Sequence, residues 1–467
     1  MTCDIEVHIP DTLAHGLGDL LTHSGSAVER DAVRFRVYPS RVQEQVLKRW
    51  IGTQRYLYNR KVEELEYQLW LKEYAKFSNR YEAPQEDFCA WDQAFSKYKN
   101  GAPWMEEIPS FVRRNGCSRF KAAMSKWGKG GGKPQFKTRN STQSVLLTAE
   151  CFSFRTIEHA DGTREDCLWI GTKRKNYGVL KWVAHCQYKE PRQVSITQEP
   201  DGKWFVGFAF QTGKLLPKCE IPQTKEQVLG VDRGVVNPAS DNTGRFYDLT
   251  QEEKVKLERR EKKRTQLQIK LTRQKKGSKR RAKTKKAIAA SHGKDRRLRA
   301  SVAHRIANHV VKQAINTGCK AIGLEALQLD NMTRRAKAKQ DDDGSYLPNG
   351  QSAKSGPNKS MLGRGLGRIK TFVEYRCQRA GLVLVEVDPC YTSTECPACH
   401  HQDKANRVSQ EDFECTSCGY KEHADVVGSI NVRDRAFQKI TDISPGTSLK
   451  NARPNARKKS TPGRVAT

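Results

Sequence analysis

No stretch of this 467-residue chain comes near the roughly 18 consecutive apolar residues that a membrane-spanning helix requires, so no span is expected. The opening residues (MTCDIEVHIPDTLAHGLGDLLTHSG) lack a basic head followed by an apolar stretch, which argues against a secretory leader. Acid is scarce: 52 Asp and Glu face 84 Lys and Arg, for a net charge of +32. Such an excess repels itself inside a compact fold and calls for a polyanionic partner. Apolar residues make up only 36% of the chain, which still suffices for several cores at this length, and eight tryptophans argue against wholesale disorder. At roughly 150 residues per domain, about three domains are expected. Paired cysteines are missing too: of 14, only Cys396, Cys399, Cys415 and Cys418 cluster. That pattern excludes a disulfide scaffold and predicts a reducing, intracellular setting with one metal site.

What is present is ordered along the chain. Residues 1–32 carry no pattern and are expected to be a flexible leader. Val33 to Tyr38 alternates as a half-buried strand does, and Pro39-Ser40 then signals a helix start. Helical spacing follows from Val42 to about Ala123, with Val46, Leu47, Trp50, Ile51 and Leu57 as the buried face. Trp104 and Pro109 interrupt it, and the glycines from Gly128 to Gly132 end it. Between Thr142 and Gln227, runs at 145–147, 151–154, 168–170, 194–197 and 204–210 read as strands, with Asp201-Gly202 as a hairpin turn. These predict a small antiparallel β domain, which the 33–38 strand would complete. Apolar strands ending at Asp232 and Glu325 come next, then one at 383–387. Helices are expected over 295–317 and 359–380 and after Asp425. A mobile loop is expected at 333–360, and a disordered tail beyond 442. No internal repeat is visible.

Cys396-Pro-Ala-Cys399, fifteen residues, then Cys415-Thr-Ser-Cys418 has the spacing of a four-thiolate zinc ribbon. Each two-residue gap lets both thiolates of a knuckle face one ion. Four thiolates leave no open position, so the zinc would be structural. His400, His401 and His423 flank it as bystanders rather than ligands.

Asp232 and Glu325 each end a strand, and Asp425 opens a helix. Singly, each has a plain alternative, a helix cap or a solvated strand end. Together they sit where sheet sites form, and three converging carboxylates repel unless cations lie among them. Mg²⁺ or Mn²⁺ suits oxygen ligands, and two such ions roughly 4 Å apart can support phosphodiester hydrolysis.

Gly230-Val-Asp232-Arg-Gly-Val-Val-Asn237, Ile322-Gly-Leu-Glu325-Ala-Leu327, and Tyr391-Thr-Ser-Thr-Glu-Cys396 leading to Asp425 and Asn431 resemble the split RuvC nuclease of the TnpB family. These are RNA-guided endonucleases of bacterial insertion sequences, related to type V CRISPR effectors. Phe35-Arg-Val-Tyr-Pro39, Tyr58-Asn59 and Lys133-Pro-Gln-Phe-Lys137 are similar to its N-terminal half. The resemblance spans about residues 33–440. It implies an α/β multi-domain protein with a wedge β-barrel (33–40 and 142–227) interrupted by a helical recognition domain (41–141). It also implies an RNase H-like RuvC nuclease domain at 228–389, with a basic helical insert at 250–317. A zinc ribbon (390–424) is inserted in it, and 425–441 is the final nuclease motif, followed by the tail 442–467.

The resemblance further implies Asp232, Glu325 and Asp425 as ligands of two Mg²⁺ or Mn²⁺ ions, one structural Zn²⁺, a structured guide RNA, and a duplex DNA target with a short flanking motif. The family usually has Asn-Ala-Ala after the third acid and a basic residue before it. Here Val427, Gly428 and Ser429 follow it, and Ala424 precedes it with His423 next door. Asn431 either supports the acids or sits on a helix surface.

Residues 254–299 hold 21 basic against 3 acidic residues, a local charge of +18. A solvated helical pair is the ordinary meaning of such a run, but phosphate contact is the reading favoured here, through Lys275, Lys276, Arg280, Arg281, Arg296 and Arg297. Tyr58, Asn59 and Arg60, with Tyr56, are candidates near the flanking motif. The expected activity is a metal-dependent DNA endonuclease, in the cytoplasm on the nucleoid, or in a nucleus if the source is eukaryotic. The alternatives are a guide-directed DNA binder that cuts weakly or not at all, and a transposase proper.

Overall fold

The computed structural model describes residues 28–77, 93–98, 102–158, 164–172 and 176–442. The expected tail from 443 onward and all but the last residues of the expected leader lie outside these. The described chain divides into two units, 28–214 with 251–301 and 215–250 with 302–442.

The first unit is built on strand β1 (Val28–Tyr38). Val33, Phe35 and Val37 alternate into the core while the arginines between them face outward. The strand starts at Val28, earlier than the alternation suggests. Helix α1 (Arg41–Phe77) is capped by Ser40 and Gln43. The Ser40 hydroxyl accepts from the Gln43 N–H (3.3 Å), and the Gln43 side chain accepts from the Ser40 N–H (2.9 Å). The Gln43 amide also donates to the carbonyls of Tyr177 and Val179, fixing the helix to the sheet. Helix α2 (Ser110–Gly128) lies against α1. The remaining strands are β2 (Gln143–Thr148), β3 (Phe152–Glu158), β4 (Arg164–Gly171), β5 (Asn176–Val183), β6 (Gln193–Gln198) and β7 (Trp204–Leu215).

These seven strands make one sheet in the order β2-β6-β7-β1-β5-β4-β3. The strand that precedes the helices therefore does complete the sheet that follows them. The hairpin expected at Asp201-Gly202 joins β6 to β7. Strand β5 went unread in the sequence because Gly178, at φ +83°, breaks its alternation. Helices α3 (Gln251–Thr272) and α4 (Lys279–Asn316) form the basic pair, and residues 251–301 group with this unit.

The second unit holds a five-stranded sheet. Its strands are β8 (Val228–Asp232), β9 (Ala239–Asp241), β10 (Phe246–Tyr247), β11 (Ala321–Glu325) and β14 (Val383–Val387), in the order β10-β9-β8-β11-β14. Strands β8, β11 and β14 run parallel, while β9 and β10 are antiparallel additions.

The segment 333–360, expected to be a mobile loop, is structured. A small hairpin pairs β12 (Lys339–Gln340) with β13 (Tyr346–Leu347) around Gly344 at φ +78°, and helix α5 (Gln351–Arg364) follows. The Gly- and Ser-rich composition concealed it because α5 buries no side chain and so has no apolar face to read. Gly365, left-handed, separates α5 from α6 (Leu366–Ala380), which divides the helix expected at 359–380. A two-stranded ribbon, β15 (Asp412–Glu414) with β16 (Lys421–His423), leads into α7 (Ala424–Thr441). No helix among the described residues is long and apolar enough to cross a membrane.

Candidate active site and metal centre

Two in-register glycines set the site. Gly323 of β11 pairs with Gly230 of β8. A Cβ on Gly230 would lie 2.0 Å from the Ser429 carbonyl oxygen, and one on Gly323 would lie 2.8 Å from the Ala436 Cβ. Helix α7 thus lies directly on the backbone of both strands, which only glycine permits. Side chains two residues apart share a face of a strand. Asp232 and Glu325, each two positions beyond its glycine, therefore emerge beneath this helix, and Asp425 sits in the helix's first turn.

The three carboxylates influence one another. Burial, then the charges of Glu325 and Asp425 and a hydrogen bond shared with Glu325, hold the Asp232 carboxyl well above the usual carboxylate range. The acids are not drawn to a single point: among the described residues, the one group of three or more His, Cys, Asp or Glu with ligand atoms all within 4.8 Å of one another is the four cysteines.

Glu325 and Asp425 are each held by a contact of their own. The Asn237 amide donates to Asp425 Oδ2 (2.9 Å). The Thr392 hydroxyl donates to Glu325 Oε1 (2.6 Å). Asn431, buried on α7, donates to the carbonyls of Thr392 and Glu395, both at 2.8 Å. It thereby holds the Tyr391–Cys396 turn, in which Tyr391 is left-handed at φ +62°. Ser429 donates to the carbonyl of Asp425 (2.8 Å), and a Cβ on Gly428 would stand 3.2 Å from Asp232 Oδ2. The departures at Gly428 and Ser429 are therefore accommodated: one leaves room for an acid and the other ties down the turn that carries another. His423 stands outside the cysteine group and has a structural task of its own, since its Nδ1 accepts from the Asp425 N–H (3.1 Å) and caps α7. Arg407 brings a guanidinium to 3.9 Å from Asp425 Oδ1. Nothing in the sequence singled out Arg407, whereas Thr392 and Asn237 lay within the quoted motifs without an assigned role.

The cysteines form a separate, closed group. The Sγ atoms of Cys396 and Cys418 are 3.6 Å apart and those of Cys399 and Cys415 3.5 Å apart. A tetrahedron of thiolates about 2.3 Å from zinc has edges of about 3.8 Å, so the donor set fits such an ion. The two knuckles repeat one hydrogen-bond pattern. His400 N–H donates to the Cys396 carbonyl and Gly419 N–H to the Cys415 carbonyl, both at 2.9 Å. Both donors are left-handed, His400 at φ +57° and Gly419 at +72°, so His400 occupies a turn position. Burial opposes ionisation of Cys415, but the backbone N–H groups of Cys418 and Ser417 outweigh it and bring the thiol down to about 6.

The nucleic-acid candidates separate into two kinds. Lys275, Lys276 and Arg280 are exposed around the turn joining α3 to α4. Arg281 instead donates to the carbonyls of Leu271 and Gln274, closing the end of α3. Arg296 and Arg297 pair with Glu199 at 2.6 and 2.8 Å, and Arg297 reaches Asp201 at 3.2 Å, fastening α4 to the β6–β7 turn. Tyr58 is a core residue packed on Phe120, Asn59 bonds to backbone, and exposed Arg60 pairs with Glu63 at 2.6 Å.

Three family profiles match the chain: "Helix-turn-helix domain" at residues 30–68, "Probable transposase" at 196–336, and "Cas12f1-like, TNB domain" at 367–432. The first of these segments folds here as a strand and one unbroken helix. Among curated proteins, the chain is 24% identical over 410 residues to "Putative RNA-guided DNA endonuclease InsQ" of Escherichia coli (strain K12), covering 86% of this chain and 91% of that protein. It is 27% identical over 234 residues to a Cas12f1 endodeoxyribonuclease of Syntrophomonas palmitatica, covering 49% of this chain and 42% of that one. In fold it resembles Cas12f1 as solved with sgRNA and target DNA, at a TM-score of 0.50 and 12% identity over 87% of this chain and 99% of that one. By these matches the chain is similar to TnpB-like proteins and to the miniature type V effectors.

Proposed function

We propose that this protein is an RNA-guided, divalent-metal-dependent DNA endonuclease that takes a structured guide RNA and reads a short flanking motif in duplex DNA. The observation that carries the reading is the juxtaposition of Asp232 and Glu325, beneath α7, with Asp425 in its first turn, where burial and then the charges of the other two acids raise the Asp232 carboxyl. Acids kept together at that cost suit cations rather than one another. Two relatives are named as RNA-guided or CRISPR-associated DNA endonucleases, and the solved fold relative was captured with guide and target.

In this reading the second unit's five-stranded sheet is an RNase H-like RuvC domain, and the four cysteines hold a structural zinc. The first unit's sheet is the wedge domain, with α1 and α2 in the helical recognition domain. Asp232, Glu325 and Asp425 would hold Mg²⁺ or Mn²⁺. Such ions supply activation of a water and stabilisation of the leaving oxygen. The chain's own residues orient the carboxylates through Thr392 and Asn237, and Arg407 offers a positive charge to a phosphate beside Asp425. The working place that follows is the cytoplasm, on the nucleoid.

The test is plasmid cleavage in Mg²⁺ by the protein purified with its RNA. Wild type should cut and Asp232→Ala should not, with RNA binding retained by both. Equal inertness of the two, with target binding intact, would favour a guide-directed binder.

A further inference from the structure

In the first unit, Arg55, Arg119, Lys137 and Arg139 gather with no acid among them. Asn59 anchors the group: its side chain donates to the Lys137 carbonyl (2.9 Å) and accepts from the Lys137 N–H (2.8 Å). The Lys137 ammonium lies 3.7 Å above the centroid of the buried Tyr58 ring. Arg119 forks onto Ser144, reaching its carbonyl and its hydroxyl at 2.7 Å each. Arg55 donates to Gln143 Oε1 at 2.7 Å, and the Gln143 amide holds the Ser141 carbonyl at 2.6 Å. Arg55, Tyr58 and Asn59 share one face of α1 by their spacing of three and four. The residues around them are thus fixed by neutral polar groups and an aromatic ring.

None of the four cations forms an ion pair among the described residues. Instead, the charges that Arg55 and Lys137 feel are cationic, from Arg139 and Arg119. Burial and then Arg119 bring the Lys137 ammonium down to about 8, and burial brings Arg119 down to about 10. Cations held together without counter-charge cost stability, and an incoming anion would relieve that cost. Phe136, the residue before Lys137, is 47% exposed, an apolar surface suited to a sugar or base.

We propose that Lys137, Arg55 and Arg119, with Arg139 at the edge, form a preset seat for a phosphodiester of the nucleic-acid backbone. That the anion belongs to a nucleic acid rests on the function proposed above. The phosphate comes either from guide RNA or from duplex DNA, and the two arms of the test separate these sources.

The full-length protein would be titrated with a short labelled RNA hairpin and, separately, with a short labelled DNA duplex, over a range of salt concentrations. Lys137→Gln should make the plot of log affinity against log salt shallower by about 0.7 to 0.9 for the nucleic acid whose phosphate sits there. Lys137→Arg should restore the slope. Because the ammonium is held at a cost, Lys137→Gln should melt no lower than wild type, which separates lost binding from lost folding. A change confined to RNA assigns the seat to the guide, and one confined to the duplex assigns it to DNA. Unchanged slopes on both, with wild type binding both, overturn the seat and leave the nuclease reading standing. Wild type binding neither nucleic acid overturns both.

Discussion

The two anionic centres of the second unit are built on opposite plans. The four thiols come from two short knuckles of the same local shape, and their sulfurs already stand at about the spacing one ion needs. The three carboxylates come from two strands and a helix distant in sequence, and they remain more open, with the Asp232 carboxyl raised by burial and then by its neighbours' charges. A closed set of soft ligands suits a permanent structural ion. An open set of hard ligands suits cations that must leave room for substrate. The centres meet through the Tyr391–Cys396 turn, which ends in the first zinc ligand and carries Thr392 to Glu325.

That link can be broken from the cysteine side, with the largest expected effect. Cys415→Ser removes one thiolate from a site whose metal would contribute on the order of 10 kcal/mol to folding. Metal analysis should find the ribbon emptied, and plasmid cleavage should fall with it because Thr392 loses its support. Full cleavage by the emptied protein would make the two centres independent.

A smaller effect is expected from the sheet side. Gly230→Ala places a methyl group 2.0 Å from the Ser429 carbonyl oxygen and forces α7 off the strand. The loss should be about 3 kcal/mol, read by chemical denaturation, with metal content at the cysteines unchanged. Metal loss in this variant would mean that the thiol site depends on the sheet as much as the acids do.

The smallest stability change, about 1 kcal/mol, is expected from Thr392→Val, which removes one hydrogen bond to Glu325. Its cleavage rate and its Mn²⁺ affinity, followed by electron paramagnetic resonance, should both drop. Thr392→Ser should restore them, which a loss of packing alone would not allow.

Much of the framework was legible beforehand. The alternation of Val33, Phe35 and Val37, the Asp201-Gly202 turn and the apolar runs ending at Asp232 and Glu325 all report short-range preferences that tertiary packing left in place. Helix α5 and strand β5 were not legible, since one has no buried face and the other is interrupted at Gly178. The arginines were the hardest to read. Arg281, Arg296 and Arg297 look like their neighbours in a basic run, yet one closes a helix end and two pair with acids of the β6–β7 turn. Composition supplies the charge of a side chain but not its partner.

The sequence alone pointed to the thiol cluster and to the three candidate acids, because a two-residue gap between cysteines and a short apolar run ending in a carboxylate are local patterns. The tertiary structure decided the rest. The register that sets Gly230 beside Gly323 lets α7 descend onto the sheet and brings Asp425 to Asp232 and Glu325. Register between strands far apart in the chain is a property of the whole packed sheet, and no short window of residues contains it.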